Sequence, residues 1–170
     1  MGDVVRRLVV VRHGKSAWPF GVPDRERPLG RRGTRDAPLM ARRIADLVGT
    51  LDLAVVSPAR RARETWELMT AELEVGHVRT EPRVYHSWGT QLLDVVAELP
   101  DDAARVLVLG HEPGVSELVL TLADPADRDL RGQVGSKFPT CAAAVLVASR
   151  PWDQFAPGCA QLEAFRTPRG

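Results

Sequence analysis

The stretch Leu8–Trp18, LVVVRHGKSAW, decides the fold, because a run of four apolar residues ends directly on Arg12, His13 and Gly14. An uninterrupted valine-rich run predicts a strand that is buried on both faces. A turn requires the glycine, but it requires neither a guanidinium nor an imidazole. The position of Arg12 and His13 at the end of this strand therefore indicates a chemical role.

The composition predicts one globular domain over residues 1–170, with 44% hydrophobic and 26% charged residues. A net charge of +1 argues against nucleic-acid or membrane partners. The apolar run is too short for a signal peptide or a membrane span, so we expect a cytoplasmic protein, a monomer or weak oligomer. Cys141 and Cys159 lack metal-ligand spacing, so we expect two reduced thiols, with a disulfide as the alternative, and neither a metal nor a cofactor.

Apolar runs and helical periodicity alternate along the chain. Helices are predicted at about Thr34–Val48, Ala59–Leu73, 91–99 and Gly114–Leu122. Strands are predicted at Val4–Val11, Leu53–Val56, within 77–85, and at Arg105–Gly110, Cys141–Ala148 and Gln161–Phe165, with loops at Pro19–Gly33 and before Cys141. This order predicts an α/β fold, a three-layer α/β/α sandwich whose central sheet is mostly parallel.

Polar residues follow three of the predicted strands. His13 ends the first strand, Ser57 and the arginines at 60, 61 and 63 follow the second, and His111 follows Arg105–Gly110. The carboxyl ends of parallel strands meet at one edge of the sheet, where ligands of such folds bind. Two histidines among arginines suit phosphate, since arginine binds phosphoryl oxygens with two donors and a neutral histidine can attack phosphorus. A second histidine, if protonated, could bind the equatorial oxygens, and no metal is required.

Four segments resemble, in order, motifs of the histidine phosphatase superfamily, which includes the phosphoglycerate mutases. The stretch at 8–18 is similar to its R-H-G motif, and DRERPLGRRG at 24–33 is similar to D-x-x-R-P-L-x-x-x-G. SPARRARET at 57–65 resembles S-P-x-x-R-A-x-x-T, and VLVLGHEPGV at 106–115 resembles the segment with the second histidine. The resemblance implies a phosphoglycerate mutase-like fold and a phosphatase activity.

The resemblance also implies roles for single residues. His13 would be the nucleophile that becomes phosphorylated, Arg12 and Arg61 would bind the phosphoryl oxygens, and His111 would complete the pocket. Arg61 is chosen over its neighbours because the arginine of the motif precedes an alanine, here Ala62.

Residues near the nucleophile are candidates for binding the substrate. Gly14, Lys15 and Ser16 follow His13 directly, and backbone N–H groups in such a turn can hold phosphate. Arg27 is either a phosphate ligand or a loop-fixing partner of Asp24. Trp18 and Trp88 lie in predicted loops near the same edge and could form a rim that contacts the substrate.

The short chain resembles SixA-type phosphohistidine phosphatases, which implies an open site and phosphohistidine on a protein as the substrate. The family's acidic proton donor has no counterpart, because Val84 or Tyr85 occupies its position, and Glu81 and His86 are the possible substitutes. A missing acid would impair hydrolysis of alkyl esters more than hydrolysis of a P–N bond. A small-molecule phosphate monoester remains an alternative substrate, and a module that binds a phosphorylated partner without turnover is a further alternative.

Overall fold

The computed structural model of the chain describes residues 4–170, so the first three residues of the predicted domain lie outside it. Six strands form one sheet: β1 (Arg6–Arg12), β2 (Leu51–Val56), β3 (Val75–Thr80), β4 (Arg105–Gly110), β5 (Ala143–Ala148) and β6 (Gln161–Arg166). Each lies where the sequence predicts a strand, with ends that differ by a few residues. The strand predicted at Gln161–Phe165 is confirmed as β6.

Five helices connect or follow the strands: α1 (Arg31–Val48), α2 (Arg60–Met69), α3 (Gly89–Ala97), α4 (Gly114–Leu122) and α5 (Arg128–Ser136). The sequence predicted a loop where α5 lies, and this prediction was wrong. The segment contains two glycines and buries only Val134, so its apolar periodicity is too weak to indicate a helix. The start of α1 was also wrong, since the helix begins three residues before Thr34 and includes Gly33.

The sheet has the order β3-β2-β4-β1-β5-β6, in which β1 to β4 run parallel, β5 runs antiparallel to its neighbours β1 and β6, and β6 therefore runs in the same direction as β1 to β4. The predicted mostly parallel sheet is therefore confirmed. β1 and β4 are neighbours in a register that pairs Arg12 with Gly110, and the His13 N–H donates to the Gly110 carbonyl at 3.0 Å. This register places His13 and His111 side by side at the carboxyl edge.

The two faces of the sheet carry separate cores. One core packs α1 and α2 against the sheet, with Met40, Ile44 and Trp66 among its members. The other packs α3, α4 and α5 against the opposite face, with Leu118 and Trp152 among its members. The three-layer sandwich is thus confirmed. Cys141 and Cys159 are free thiols, and no helix within residues 4–170 has the length and hydropathy needed to cross a membrane.

The turn after β1 is braced by the segment that leads into α1. Ala17 N–H donates to the Pro28 carbonyl at 2.9 Å, and Gly30 N–H donates to the Lys15 carbonyl at 2.8 Å. At Gly33 the backbones approach so closely that a Cβ would lie 2.5 Å from the Lys15 carbonyl oxygen and 2.9 Å from its nitrogen. Glycine at position 33 is therefore what allows α1 to pack against the turn that carries His13.

We expect Gly33→Ala to destabilise the protein by about 1–3 kcal/mol, because the added methyl group must displace the Lys15 backbone. The matched control is Gly132→Ala in α5, where no atom lies within 4 Å of the added Cβ, so the change should stay within about 1 kcal/mol and favour the folded state. Urea unfolding measures both variants. Equal free energies of unfolding for Gly33→Ala and the wild type would contradict the close packing.

Candidate active site

A cavity of about 510 Å³ opens at the carboxyl edge of the parallel strands. Its lining includes eight of the ten residues that the sequence predicts for the site: Arg12, His13, Lys15, Ser16, Arg27, Arg61, His86 and His111. The lining also includes Trp18, Asp24, Ser87, Trp88, Glu112, Pro113 and Thr140. Five separate loops contribute these residues, so the sheet edge gathers them as parallel topology requires.

The geometry of His13 leaves one ring nitrogen unprotonated. Its Nδ1 lies 2.7 Å from the Gly14 carbonyl, and because a carbonyl can only accept, Nδ1 carries the proton. The lone pair is then on Nε2, which accepts a hydrogen bond from Arg61 Nε at 3.3 Å. Burial lowers the pKa of His13 to about 3, against the effect of the Gly14 hydrogen bond and with the help of the Arg61 charge. The ring is therefore neutral at pH 7.

His111 lies beside His13, with 4.9 Å between the ring centroids. Its Nδ1 faces Arg61 at 3.4 Å, so Nδ1 accepts and Nε2–H donates to Ser57 Oγ at 2.7 Å. Burial, followed by the proximity of His13 and Arg61, lowers the pKa of His111 to about 2. With these neighbours the ring is neutral at pH 7, whereas a phosphoryl group beside it would add negative charge and favour protonation.

Arg61 connects both histidines to the loop that contains Asp24. Its guanidinium donates to the Asp24 carbonyl at 2.7 Å and to Asp24 Oδ2 at 3.2 Å. Desolvation acts to raise the pKa of Asp24, but hydrogen bonds from Tyr85 and Arg27 and the Arg61 charge together lower it to about 2. Asp24 is thus an anion that holds Arg61 in place, and it has no proton to donate at neutral pH. The neighbouring Arg60 pairs instead with Glu64 at 2.7 Å.

Arg12 is fixed by the segment between α5 and β5. One guanidinium nitrogen donates to the Phe138 carbonyl at 2.8 Å, while Nε is buried without a hydrogen-bond partner among the described residues. Burial lowers the pKa of Arg12, and Glu112 opposes this effect. The guanidinium therefore keeps donor capacity that an anion in the cavity could use.

The Arg27 guanidinium forms its hydrogen bonds within the segment between β1 and α1. Its guanidinium pairs with Asp24 Oδ1 at 2.9 Å, donates to the Ala17 carbonyl at 3.2 Å, and donates to Ser16 Oγ. Of the two roles open in the sequence, these contacts favour loop fixing. Ser16 lines the cavity, but its hydroxyl already accepts from Arg27, so these two side chains shape the wall together. Lys15 is exposed on the cavity wall.

Two sequence-predicted site residues lie outside the cavity lining. Gly14 does not offer its N–H to a substrate, because that N–H donates to Thr65 Oγ1 at 3.0 Å. Glu81 is held by Arg83, which donates to its carboxylate at 3.0 and 3.1 Å. These hydrogen bonds lower the pKa of Glu81, against desolvation. These contacts occupy the Gly14 N–H and the Glu81 carboxylate, which are the groups expected to bind substrate and to donate a proton.

Tyr85, one of the two residues at the expected position of the acid, lies next to His86, which lines the cavity. Tyr85 O–H donates to Asp24 Oδ2 at 2.7 Å, and the rings of Tyr85 and His86 stack with 3.9 Å between centroids. His86 has a positive φ of 53°, which non-glycine residues adopt infrequently. Its Nε2 lies 3.7 Å from Asp24 Oδ2. Of the two candidate donors, only His86 reaches the cavity.

Sequence reasoning missed the supporting hydrogen bonds. Ser57, Thr65 and Asp24 are motif residues. Their partners are His111, Gly14 and Arg61, which lie 54, 51 and 37 residues away along the chain, so no local pattern indicates the pairing. Tyr85 had no signal of its own. Within residues 4–170 no group of three or more histidine, cysteine, aspartate or glutamate side chains could hold a metal ion.

Comparisons with known proteins agree with this geometry. A family model, the histidine phosphatase superfamily (branch 1), matches residues 8–90. An uncharacterized protein of Mycobacterium tuberculosis (strain ATCC 25618 / H37Rv) is 34% identical over 161 residues, which cover 94% of this chain and 100% of the relative. A structure assigned as phosphohistidine phosphatase SixA from Nakamurella multipartitia matches with a TM-score of 0.86 and 26% identity over 100% of both chains. One assigned as an alpha-ribazole-5'-P phosphatase from Escherichia coli matches with a TM-score of 0.68 and 14% identity over 96% of this chain and 98% of that one.

The chain belongs to the histidine phosphatase superfamily, a family of phosphatases, and within it to the SixA-type proteins. The predicted phosphoglycerate mutase-like fold is confirmed by the same comparisons.

We expect the free energy of unfolding to fall on acidification from pH 7 to pH 5. The pKa values of His13 and His111 are about 3 and about 2 when folded, against about 6.5 when unfolded. The unfolded chain therefore takes up two protons that the folded chain refuses, which favours unfolding as the pH falls. Urea unfolding across this range should give a shallower pH slope for the double variant His13→Asn, His111→Asn. An unchanged slope would mean that the two rings take up protons alike in the folded and the unfolded chain, which would contradict the lowered pKa values.

Proposed function

We propose that the protein is a metal-independent phosphatase that works through a phosphohistidine on His13, with phosphohistidine on a protein as its substrate. The observation that carries this proposal is the neutral His13 ring, whose unprotonated Nε2 accepts a hydrogen bond from Arg61 Nε at 3.3 Å in the cavity lining. A fixed tautomer and a neighbouring cation are what a histidine nucleophile for phosphorus needs.

The first step follows from the positions of these groups. The Nε2 lone pair attacks phosphorus and forms a P–N bond while the bond to the leaving group breaks, and the leaving atom keeps the electron pair. Arg12, Arg61 and a protonated His111 would bind the phosphoryl oxygens as charge develops. In the second step water attacks the phosphohistidine, and inorganic phosphate leaves with the Nε2 lone pair restored to His13.

The substrate class follows from the proton donor. Asp24, in the cavity lining, has a pKa of about 2 and carries no proton to donate at neutral pH. Glu81 is held outside the lining by Arg83, and Glu112, the other carboxylate of the lining, accepts from the Ser116 N–H at 3.1 Å. An alkoxide is a strong base that needs a proton to leave, whereas the nitrogen of phosphohistidine leaves readily once its own ring is protonated. This difference favours a P–N substrate.

The mouth of the cavity also suits a phosphorylated side chain. Trp18 is 74% exposed and Trp88 is 60% exposed, and both line the cavity. Flat aromatic rings at the mouth can stack against an imidazole ring. A small phosphate ester that carries a ring is the second candidate substrate, because the same two tryptophans would serve it equally well.

The decisive experiment compares kcat/KM for a phosphohistidine-bearing protein with kcat/KM for a panel of phosphate monoesters, without added metal. We expect a preference of about a hundredfold or more for phosphohistidine, or roughly 2.7 kcal/mol in transition-state binding. A denaturing quench at alkaline pH during turnover should trap a base-stable, acid-labile phosphate on His13, detected by mass spectrometry, and His13→Ala should lose both turnover and label.

Three other results would overturn parts of this proposal. A preference for one small ester would replace the substrate but keep the mechanism. Wild-type turnover by His13→Ala would exclude the nucleophile. Stoichiometric phosphate binding with no product release would make the protein a binding module instead of an enzyme.

We further expect the slower hydrolysis of alkyl esters to depend on a proton from His86, the candidate donor that lines the cavity. His86→Asn should lower kcat/KM for an alkyl phosphate by about a hundredfold, because the alkoxide then leaves unprotonated, and for p-nitrophenyl phosphate by less than about threefold. His77→Asn is the matched control, since His77 is exposed on β3 away from the catalytic cavity. Equal losses for both esters would assign His86 a structural role only.

A further inference from the structure

A second cavity of about 250 Å³ lies next to the catalytic one. Its charged lining residues are Arg32, Asp36, Lys137 and Arg169, and its other lining residues are Pro139, Thr140, Thr167 and Pro168. Thr140 lines both cavities. The two cavities are therefore neighbours that share one wall.

The shared wall is the segment 137–141, and it is anchored to the catalytic residues. Arg12 donates to the Phe138 carbonyl at 2.8 Å, and the Cys141 N–H donates to the carbonyls of Arg12 and His13 at 3.0 Å each. On its other side, Thr140 Oγ1 accepts from Arg32 at 3.3 Å. A group bound in the second cavity would thus lie against the same wall that bounds the cavity of His13.

The charges of the second cavity do not balance. Three cationic side chains face one carboxylate, the buried Asp36, which pairs with Arg169 at 3.3 Å and with Arg32 at 4.0 Å. Lys137 is exposed, and its ammonium forms no ion pair with any carboxylate in the described part of the chain. The excess of positive charge is available for an anion from outside.

Each of the two lysines of the chain lines one of the two cavities. Twenty-one of the 23 basic residues are arginines, and the two exceptions are Lys15 in the catalytic cavity and Lys137 in the second. Both lysines are exposed, whereas Arg27 and Arg61 in the first cavity and Arg32 and Arg169 in the second form ion pairs.

We propose that Arg32, Lys137 and Arg169 form a subsite for a second anionic group of the substrate, a carboxylate or a phosphate. The proposal rests on the proposed function only in taking the cavity of His13 as the place where the phosphoryl group binds. Such a subsite would select phosphorylated substrates that carry an acidic group near the phosphate, and it would act on binding, since none of its side chains reaches His13.

The test measures the binding of alkane bisphosphonates of graded length by calorimetry, against alkyl monophosphonates of the same lengths. A bisphosphonate that spans both cavities gains the second contact intramolecularly. We expect it to bind about tenfold or more tightly than its monophosphonate, and we expect Lys137→Glu to remove this gain while leaving the monophosphonate affinity unchanged. Carboxyalkylphosphonates show whether a carboxylate can replace the second phosphonate.

The matched control is Arg128→Glu, which makes the same charge change at the other end of α5. It should keep the bisphosphonate gain, and thermal unfolding checks that both variants fold. Lys137→Gln should lose part of the gain. No bisphosphonate preference at any length, or an equal preference in Lys137→Glu, would overturn the subsite. A preference that persists in a protein without phosphatase turnover would support the subsite while rejecting the proposed function.

Discussion

The buried guanidinium of Arg61 is the constraint on which the site depends. A buried charge must be paired and hydrogen-bonded, or it costs several kcal/mol. Asp24 satisfies it from the loop between β1 and α1, through its backbone carbonyl and its Oδ2. The remaining donors then face His13 and His111. One ion pair therefore fixes the loop, the cation and the orientation of both rings.

The same arrangement sets the protonation of the site. Two buried imidazoles among arginines are held neutral, which lowers stability at acidic pH but leaves a lone pair on His13. The buried Nε of Arg12 has no hydrogen-bond partner among the described residues, and a phosphoryl dianion would supply one to this guanidinium. Folding and catalysis thus place opposite demands on these groups, as is common at functional sites.

Much of this organisation was accessible from the sequence. The apolar strands that end on His13 and His111 gave the parallel sheet and the edge at which they meet, and the motif register separated Arg61 from Arg60, which pairs with Glu64 on the helix surface. The prediction failed where backbone geometry, not pattern, decides the structure. Gly33 was expected to end a loop, but it lies inside α1. Glycine is required there because the Lys15 backbone passes within 2.5 Å of where a Cβ would be.

The sequence by itself determined the fold class and the principal residues of the site, because strand periodicity and strand-end chemistry are local properties of the chain. Only the tertiary structure decided what each residue can do. Glu81 and His86 were equal candidates for the proton donor in the sequence. In the structure Arg83 hydrogen-bonds to Glu81, whereas His86 lines the cavity. The sequence left Arg27 as either a phosphate ligand or a residue that fixes the loop. In the structure its guanidinium donates to Asp24, Ser16 and Ala17, which favours the second role. Hydrogen-bond partners are assigned by distance in space, and distance in space is set by packing.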